Sequence, residues 1–144
     1  MELSFQDYIS IKIHKTDLHL TNFVKAKLEP FNLAPEQNLI MMLLWEKDGL
    51  TQIQLAQKLN KDKTNVARMA SNLERKGFIK RSCCLDDRRS LKLYLTPCGK
   101  KLGDQVIPIA EEFNDIVCKD FTKEELVELE RLLSKVNKNV QCFL

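Results

Sequence analysis

The stretch Asn60–Thr96, NKDKTNVARMASNLERKGFIKRSCCLDDRRSLKLYLT, decides how the rest of the chain is read. Up to Lys76 its apolar residues Val66, Met69, Ala70 and Leu73 recur at steps of three and four, which is one face of a helix. Asp62 suits the N-cap, because its carboxylate can accept N–H groups that the first turn leaves unpaired. Gly77 ends the helix. From Phe78 the period falls to two, and in Leu91-Lys92-Leu93-Tyr94-Leu95 apolar residues alternate with polar or amphipathic ones. The spacing predicts a helix to about Lys76, then strands over about 78–84 and 91–95. Asp86-Asp87-Arg88-Arg89 forms a hairpin tip too charged to pack inside.

Upstream, Thr51-x-x-Gln54 is a capping box for a short helix over about 51–59, with Ile53, Ala56 and Leu59 expected on its inner side. Pro35 and Glu36 suit the first turn of a helix over 35–47, whose run Leu39–Trp45 is apolar nearly all round and so expected to be buried on most sides. Before it, Ile9, Ile13, Thr16, Leu20, Phe23 and Lys27 mark one face of a helix over 4–29, stopped by Pro30. At 1.5 Å per residue it spans about 36 Å, long enough to reach a second subunit. Downstream, Thr96-Pro97 opens a helix to about Lys119 with Pro108 inside it, where a bend is expected. Thr122-x-x-Glu125 caps a last helix over about 123–139, whose Leu126, Leu129, Leu133, Val136 and Val140 form a seam able to pair with another helix.

Length and composition agree with a mainly α single domain carrying a small two-stranded β-wing. The chain has 144 residues, 44% hydrophobic and 30% charged, and no run approaches the ~20 apolar residues of a membrane helix. Met1-Glu2-Leu3-Ser4-Phe5 lacks the basic and apolar regions of a secretion signal, so a cytoplasmic location is expected. The net charge of +3 is unevenly spread. Residues 61–92 hold ten Lys/Arg against four Asp/Glu, a net of +6, and residues 104–144 hold five against nine, a net of −4. One basic face is therefore expected to meet a polyanion. The five cysteines, Cys83, Cys84, Cys98, Cys118 and Cys142, form no C-x-x-C pair and no zinc-ligand spacing. With no Gly-rich phosphate loop, no metal-ligand cluster and both histidines, His14 and His19, in the first helix, neither an enzyme nor a bound cofactor is expected.

A short helix, a tight turn and a longer helix make a helix-turn-helix, whose second helix enters the major groove of DNA. The outward residues of that helix are Lys63, Thr64, Asn65, Ala67, Arg68, Ser71 and Arg75. Asn65 can offer its amide to an adenine edge and Arg68 a fork to guanine. Lys63 and Thr64 suit phosphates near the helix start. At the hairpin tip, Arg88 and Arg89 can enter a minor groove, and Asp87 can hold a guanidinium in direction. A second reading of the same surfaces is a winged-helix protein-interaction module, which would have little need for so many basic residues.

The order of helices, L-A-Q-K-L (Leu55–Leu59), N-L-E-R-K-G-F-I-K-R (Asn72–Arg81) and D-D-R-R-S-x-x-x-x-L-T-x-x-G (Asp86–Gly99) resemble the MarR family of bacterial transcription regulators. The resemblance implies a winged helix-turn-helix homodimer on a pseudo-palindromic operator, usually a repressor released by a small ligand or by oxidation. It implies a minor-groove role for Arg89, an orienting role for Asp87, and a reading head over about 34–96. It also implies that the first, fifth and sixth helices, about 4–29 and 97–142, interlock two copies, setting the recognition helices about 34–36 Å apart. Phenolic or aromatic effectors of the family suggest His14, Leu18, Trp45 and residues near Val106 as pocket lining. The family's hydroperoxide sensors carry a cysteine near the start of the first helix. This chain has none before Cys83, so a redox signal would fall on Cys83 and Cys84 in the wing, favoured by Lys80 and Arg81.

Overall fold

A computed structural model describes residues 2–83 and 91–144. It contains six α-helices among the described residues: α1 (Ile9–Leu28), α2 (Pro35–Glu46), α3 (Gln52–Leu59), α4 (Lys63–Arg75), α5 (Pro97–Val117) and α6 (Lys123–Gln141). Strands β1 (Ile79–Cys83) and β2 (Leu91–Leu95) pair antiparallel, with Ile79 opposite Leu95 and Cys83 opposite Leu91. The chain divides into two compact units, Met1–Ile109 and Ala110–Leu144.

Local chemistry sets most boundaries. Thr51 Oγ1 accepts the Gln54 N–H at 3.0 Å and Gln54 Oε1 accepts the Thr51 N–H at 2.9 Å, the reciprocal pair that starts α3. Asn60 closes α3 in the left-handed region, φ 53°. Asp62 caps α4, its Oδ1 accepting the Asn65 N–H at 2.7 Å. Gly77, φ +84°, ends α4: its N–H donates to the Glu74 carbonyl and the Phe78 N–H to that of Leu73. That second bond keeps Phe78 in the helix cap, so β1 starts at Ile79. Thr122 and Glu125 cap α6 reciprocally.

The core of the first unit gathers Leu28, Ile40, Met41, Leu44, Leu55, Val66, Leu73, Ile79, Leu93 and Val106, all nearly or fully buried. The hairpin is anchored to it by Ile79 and Leu93, and Tyr94, on the other side of β2, is exposed. A short segment before α3 lines the free edge of β2. Gly49 N–H donates to the Leu93 carbonyl, Leu93 N–H to that of Leu50, and Leu95 N–H to Asp48 Oδ1. The wing is thus built on a third backbone lane.

Several expectations need correction. Residues 5–7 form a separate 3₁₀ turn, because Ser4 and Asp7 bond each other and Tyr8 is extended before α1 begins. Pro30 lies in a second 3₁₀ turn, Glu29–Phe31, after α1 has ended. Ile53 points outward: the buried face of α3 is Leu55 and Ala56, and two residues of helix turn Ile53 by about 200° from Leu55. α2 is not buried all round. Ile40, Met41 and Leu44 face the core, while Leu39 and Met42, three residues apart, share an exposed stripe. α5 ends at Val117 rather than Lys119, and Asp120, φ 65°, makes the turn to α6.

Candidate nucleic-acid interface

The first two turns of α4 present Lys63, Thr64 and Arg68 exposed, with Asn65 and Ala67 half-buried. Val66, Met69, Ala70 and Leu73 hold the opposite face in the core. Asn65 does more than occupy the outer face. Its Nδ2 donates to Asp62 Oδ2 at 3.0 Å and its Oδ1 accepts from Arg68 Nη2 at 2.9 Å. Asp62, Asn65 and Arg68 are therefore one hydrogen-bonded row at i, i+3, i+6.

The basic residues of this region divide by what they touch. Lys61 pairs with Glu36 at 2.9 Å. Lys76 turns inward, donating to the Asn32 carbonyl and Gln37 Oε1, both at 2.7 Å, and burial pushes its ammonium below the ordinary lysine range. This lysine ties the end of α4 to the start of α2. Arg75 bonds Asn72 on its own helix. Lys63 and Lys80 are exposed and have no partner among the described residues, which leaves them available to phosphates.

Arg81 joins three elements. From β1 its guanidinium donates to Glu74 Oε1 at 3.2 Å and Ser71 Oγ at 3.0 Å on α4, and to Gln52 Oε1 at 3.3 Å on α3. Its backbone N–H donates to Glu74 Oε2 at 3.0 Å. Ser71, expected on the outward set, thus accepts a bond from within the protein. The Arg81 N–H, followed by its guanidinium, holds the Glu74 carboxyl below the usual carboxylate range. A depressed carboxylate stabilises the fold above its unfolded pKa, and that stability is lost as pH falls through the folded value. The melting temperature should therefore fall on acidification below the ordinary Glu pKa of about 4.3, and less steeply for Glu74→Gln. Parallel melting curves for the two proteins from about pH 6 to pH 3 would reject this role.

Asp86, Asp87, Arg88 and Arg89, expected at the hairpin tip, lie outside the described residues, together with Cys84. Cys83 is exposed at the end of β1, and Cys98, Cys118 and Cys142 are also free thiols. His14, Leu18, Trp45 and the neighbourhood of Val106, suggested as pocket lining, fall in different settings. His14 and Leu18 are exposed on α1, Val106 is fully buried, and Trp45 donates its indole N–H to the Gly99 carbonyl at 3.0 Å. Among the described residues, no group of three or more His, Cys, Asp or Glu could hold a metal ion, and no helix is long and apolar enough to cross a membrane.

A capped short helix, a left-handed turn, a core-anchored second helix and an antiparallel hairpin define a winged helix-turn-helix protein. The MarR family model matches residues 33–91, from the approach to α2 to the start of β2. The uncharacterized HTH-type transcriptional regulator YybA of Bacillus subtilis is 28% identical over 122 residues, 85% of this chain and 81% of that protein. The HTH-type transcriptional regulator BilQ of Clostridium symbiosum is 28% identical over 144 residues, 100% of this chain and 97% of that one. The crystal structure of the S. aureus MepR–DNA complex superposes with a TM-score of 0.85 at 26% identity, covering 96% of this chain and 99% of that one. Residues 33–91 are thus a MarR-family match, and the chain is similar over most of its length to HTH-type transcriptional regulators.

Proposed function

We propose that this regulator binds a pseudo-palindromic operator as a homodimer in the cytoplasm, acting as a repressor released by a small ligand or by oxidation. Each copy sets the start of α4 into a major groove and its wing tip beside the adjacent minor groove. The observation that carries this reading is the outer face of α4. Lys63, Thr64 and Arg68 are exposed there, and the nearby carboxylate, Asp62, is bonded into the helix cap. Lys63 and Thr64 meet phosphates, Arg68 meets a base edge, and Arg88 and Arg89 reach the minor groove with Asp87 holding the guanidinium. The similarity to MepR, solved with DNA, supports the same mode of docking.

Exposed apolar side chains support the dimer. α6 buries none of its residues, and Leu129, Leu133, Val136 and Val140 form an exposed stripe along it. α1 likewise carries exposed Ile9 and Ile13. A second copy would cover such surface and double the number of recognition helices.

Selection of bound fragments from genomic DNA, followed by gel-shift titration, tests the function. Retention should fall steeply with added salt, because phosphate contacts release counterions. Arg89→Ala should weaken operator binding by about 1–3 kcal/mol. Unchanged affinity at fixed salt would remove Arg89 from the interface, and no retention at low salt would favour a protein partner. For the redox signal, peroxide should lower the affinity of the parent protein and leave Cys83→Ser/Cys84→Ser unaffected. Equal loss in both would discard those thiols as the sensor.

A further inference from the structure

We propose that Asn65 is a positioning residue that aims Arg68 at a guanine, so that the two side chains specify one base pair together. This rests on the reading that α4 enters the major groove.

The row Asp62–Asn65–Arg68 fixes the Asn65 amide at both ends. Its Nδ2 faces the Asp62 carboxylate and its Oδ1 faces the Arg68 guanidinium. Flipping the amide would put oxygen against carboxylate and N–H against guanidinium, so the charges on either side select one orientation. Asp62 is itself held, because its other oxygen accepts the Asn65 backbone N–H at 2.7 Å. The restraint therefore runs from the helix cap, through Asn65, to Arg68.

Two consequences follow for base recognition. An asparagine reads adenine by accepting and donating with one amide at once. Here both functions of the Asn65 amide already have protein partners, and the side chain is half-buried. Arg68 is exposed and gives only an Nη2 bond to Asn65, and its remaining donors have no partner among the described residues. A guanidinium held at one corner keeps a free edge for the two acceptors of guanine. The reader is therefore Arg68, and Asn65 sets its direction.

Asn65→Ala is a clean variant, because the backbone N–H that Asp62 caps is retained. Base preference would be measured by selection from a randomised duplex pool, using the parent, Asn65→Ala, Arg68→Ala and the double variant, with thermal melting alongside. The expected result is that Arg68→Ala loses preference for guanine at one position of each half-site, by roughly tenfold or more. Asn65→Ala should weaken the same position, and the double variant should match Arg68→Ala. Three results would overturn the proposal: Asn65→Ala relaxing a different base pair with additive effects, an unchanged preference in Asn65→Ala, or an unchanged preference in Arg68→Ala. A parent protein that enriches no sequence would remove the DNA-reading role of α4 and this inference with it, an outcome distinct from the other three.

Discussion

Replacing Gly99 with alanine is expected to be among the most destabilising single changes in this protein. A Cβ at Gly99 would lie 2.1 Å from the Phe78 carbonyl oxygen and 3.1 Å from its carbon. That obstacle is backbone, and it is held in place. The Phe78 carbonyl accepts the Thr96 N–H at 3.1 Å. Thr96 Oγ1 donates to the Gly77 carbonyl at 2.6 Å while accepting the Gly99 N–H at 3.0 Å. The Gly99 carbonyl in turn accepts the Trp45 indole N–H. Relief would require moving the start of α5 away from the end of α4, breaking these bonds together. Overpacking alone costs ~1–3 kcal/mol, and lost hydrogen bonds add ~1 kcal/mol each. We expect a loss of about 3 kcal/mol or more, lowering the melting temperature by roughly 10 °C. Gly77→Ala is the comparison. Nothing lies within 4 Å of its added Cβ, so only the left-handed backbone at φ +84° resists, a cost of ~1–2 kcal/mol. Thermal melts showing equal shifts for the two variants would refute the steric account of Gly99.

Arg81→Ala is expected to lower both stability and DNA affinity. A solvent-exposed ion pair such as Arg81–Glu74 contributes only ~0–1 kcal/mol. Arg81 is less exposed than that case, with a side chain 21% accessible, and it also bonds Ser71 and Gln52. Together these contacts make a loss of about 2 kcal/mol reasonable, since hydrogen bonds to charged groups contribute ~1.5–3 kcal/mol. The effect on binding has a separate origin. Arg81 is the side chain through which β1 grips both α3 and α4, so its removal loosens the wing against the recognition helix, leaving the buried Ile79 and Leu93 and the backbone bond to Glu74 to hold it. Two groove contacts that must be made at once would then have to be ordered on binding. Operator affinity should fall about tenfold, equivalent to ~1.4 kcal/mol. Arg81→Lys should recover little, because a single ammonium cannot fork to three acceptors on two helices. Gel-shift titration below the melting range separates the two effects, and normal affinity in folded Arg81→Ala protein would show that the clamp has no part in DNA reading.

The legible parts of this molecule are those governed by neighbours in sequence. The caps at Thr51, Asp62 and Thr122 act across three residues, so their partners are visible as spacing. The helix-turn-helix and the change of period at Gly77 were visible for the same reason. Ile53, Leu39 and Met42 misled because hydrophobicity states what a side chain favours and not which face of its helix has a partner. The wing's third lane at Asp48–Leu50 carried no strand signal, as it is a few backbone hydrogen bonds formed beside a turn.

Within the recognition helix the same division holds. Sequence marked Lys63, Thr64, Asn65, Arg68 and Ser71 as outward polar residues, because helical periodicity determines direction. Geometry then gave them different tasks: Asn65 is bonded to Asp62 and Arg68, and Ser71 to Arg81.

By itself, the sequence determined the helices, their caps, the hairpin and the basic character of one region, since each depends on backbone preferences and charges a few residues apart. Tertiary structure alone decided which basic residues stay available to a polyanion. Lys76 meets Asn32 across a separation of 44 residues, and Trp45 meets Gly99 across 54. Such pairs depend on how the helices pack, and no local pattern records them. That is also why Gly99 matters: its lack of a side chain has meaning only where the turn after α4 passes within 2.1 Å of the place a Cβ would occupy.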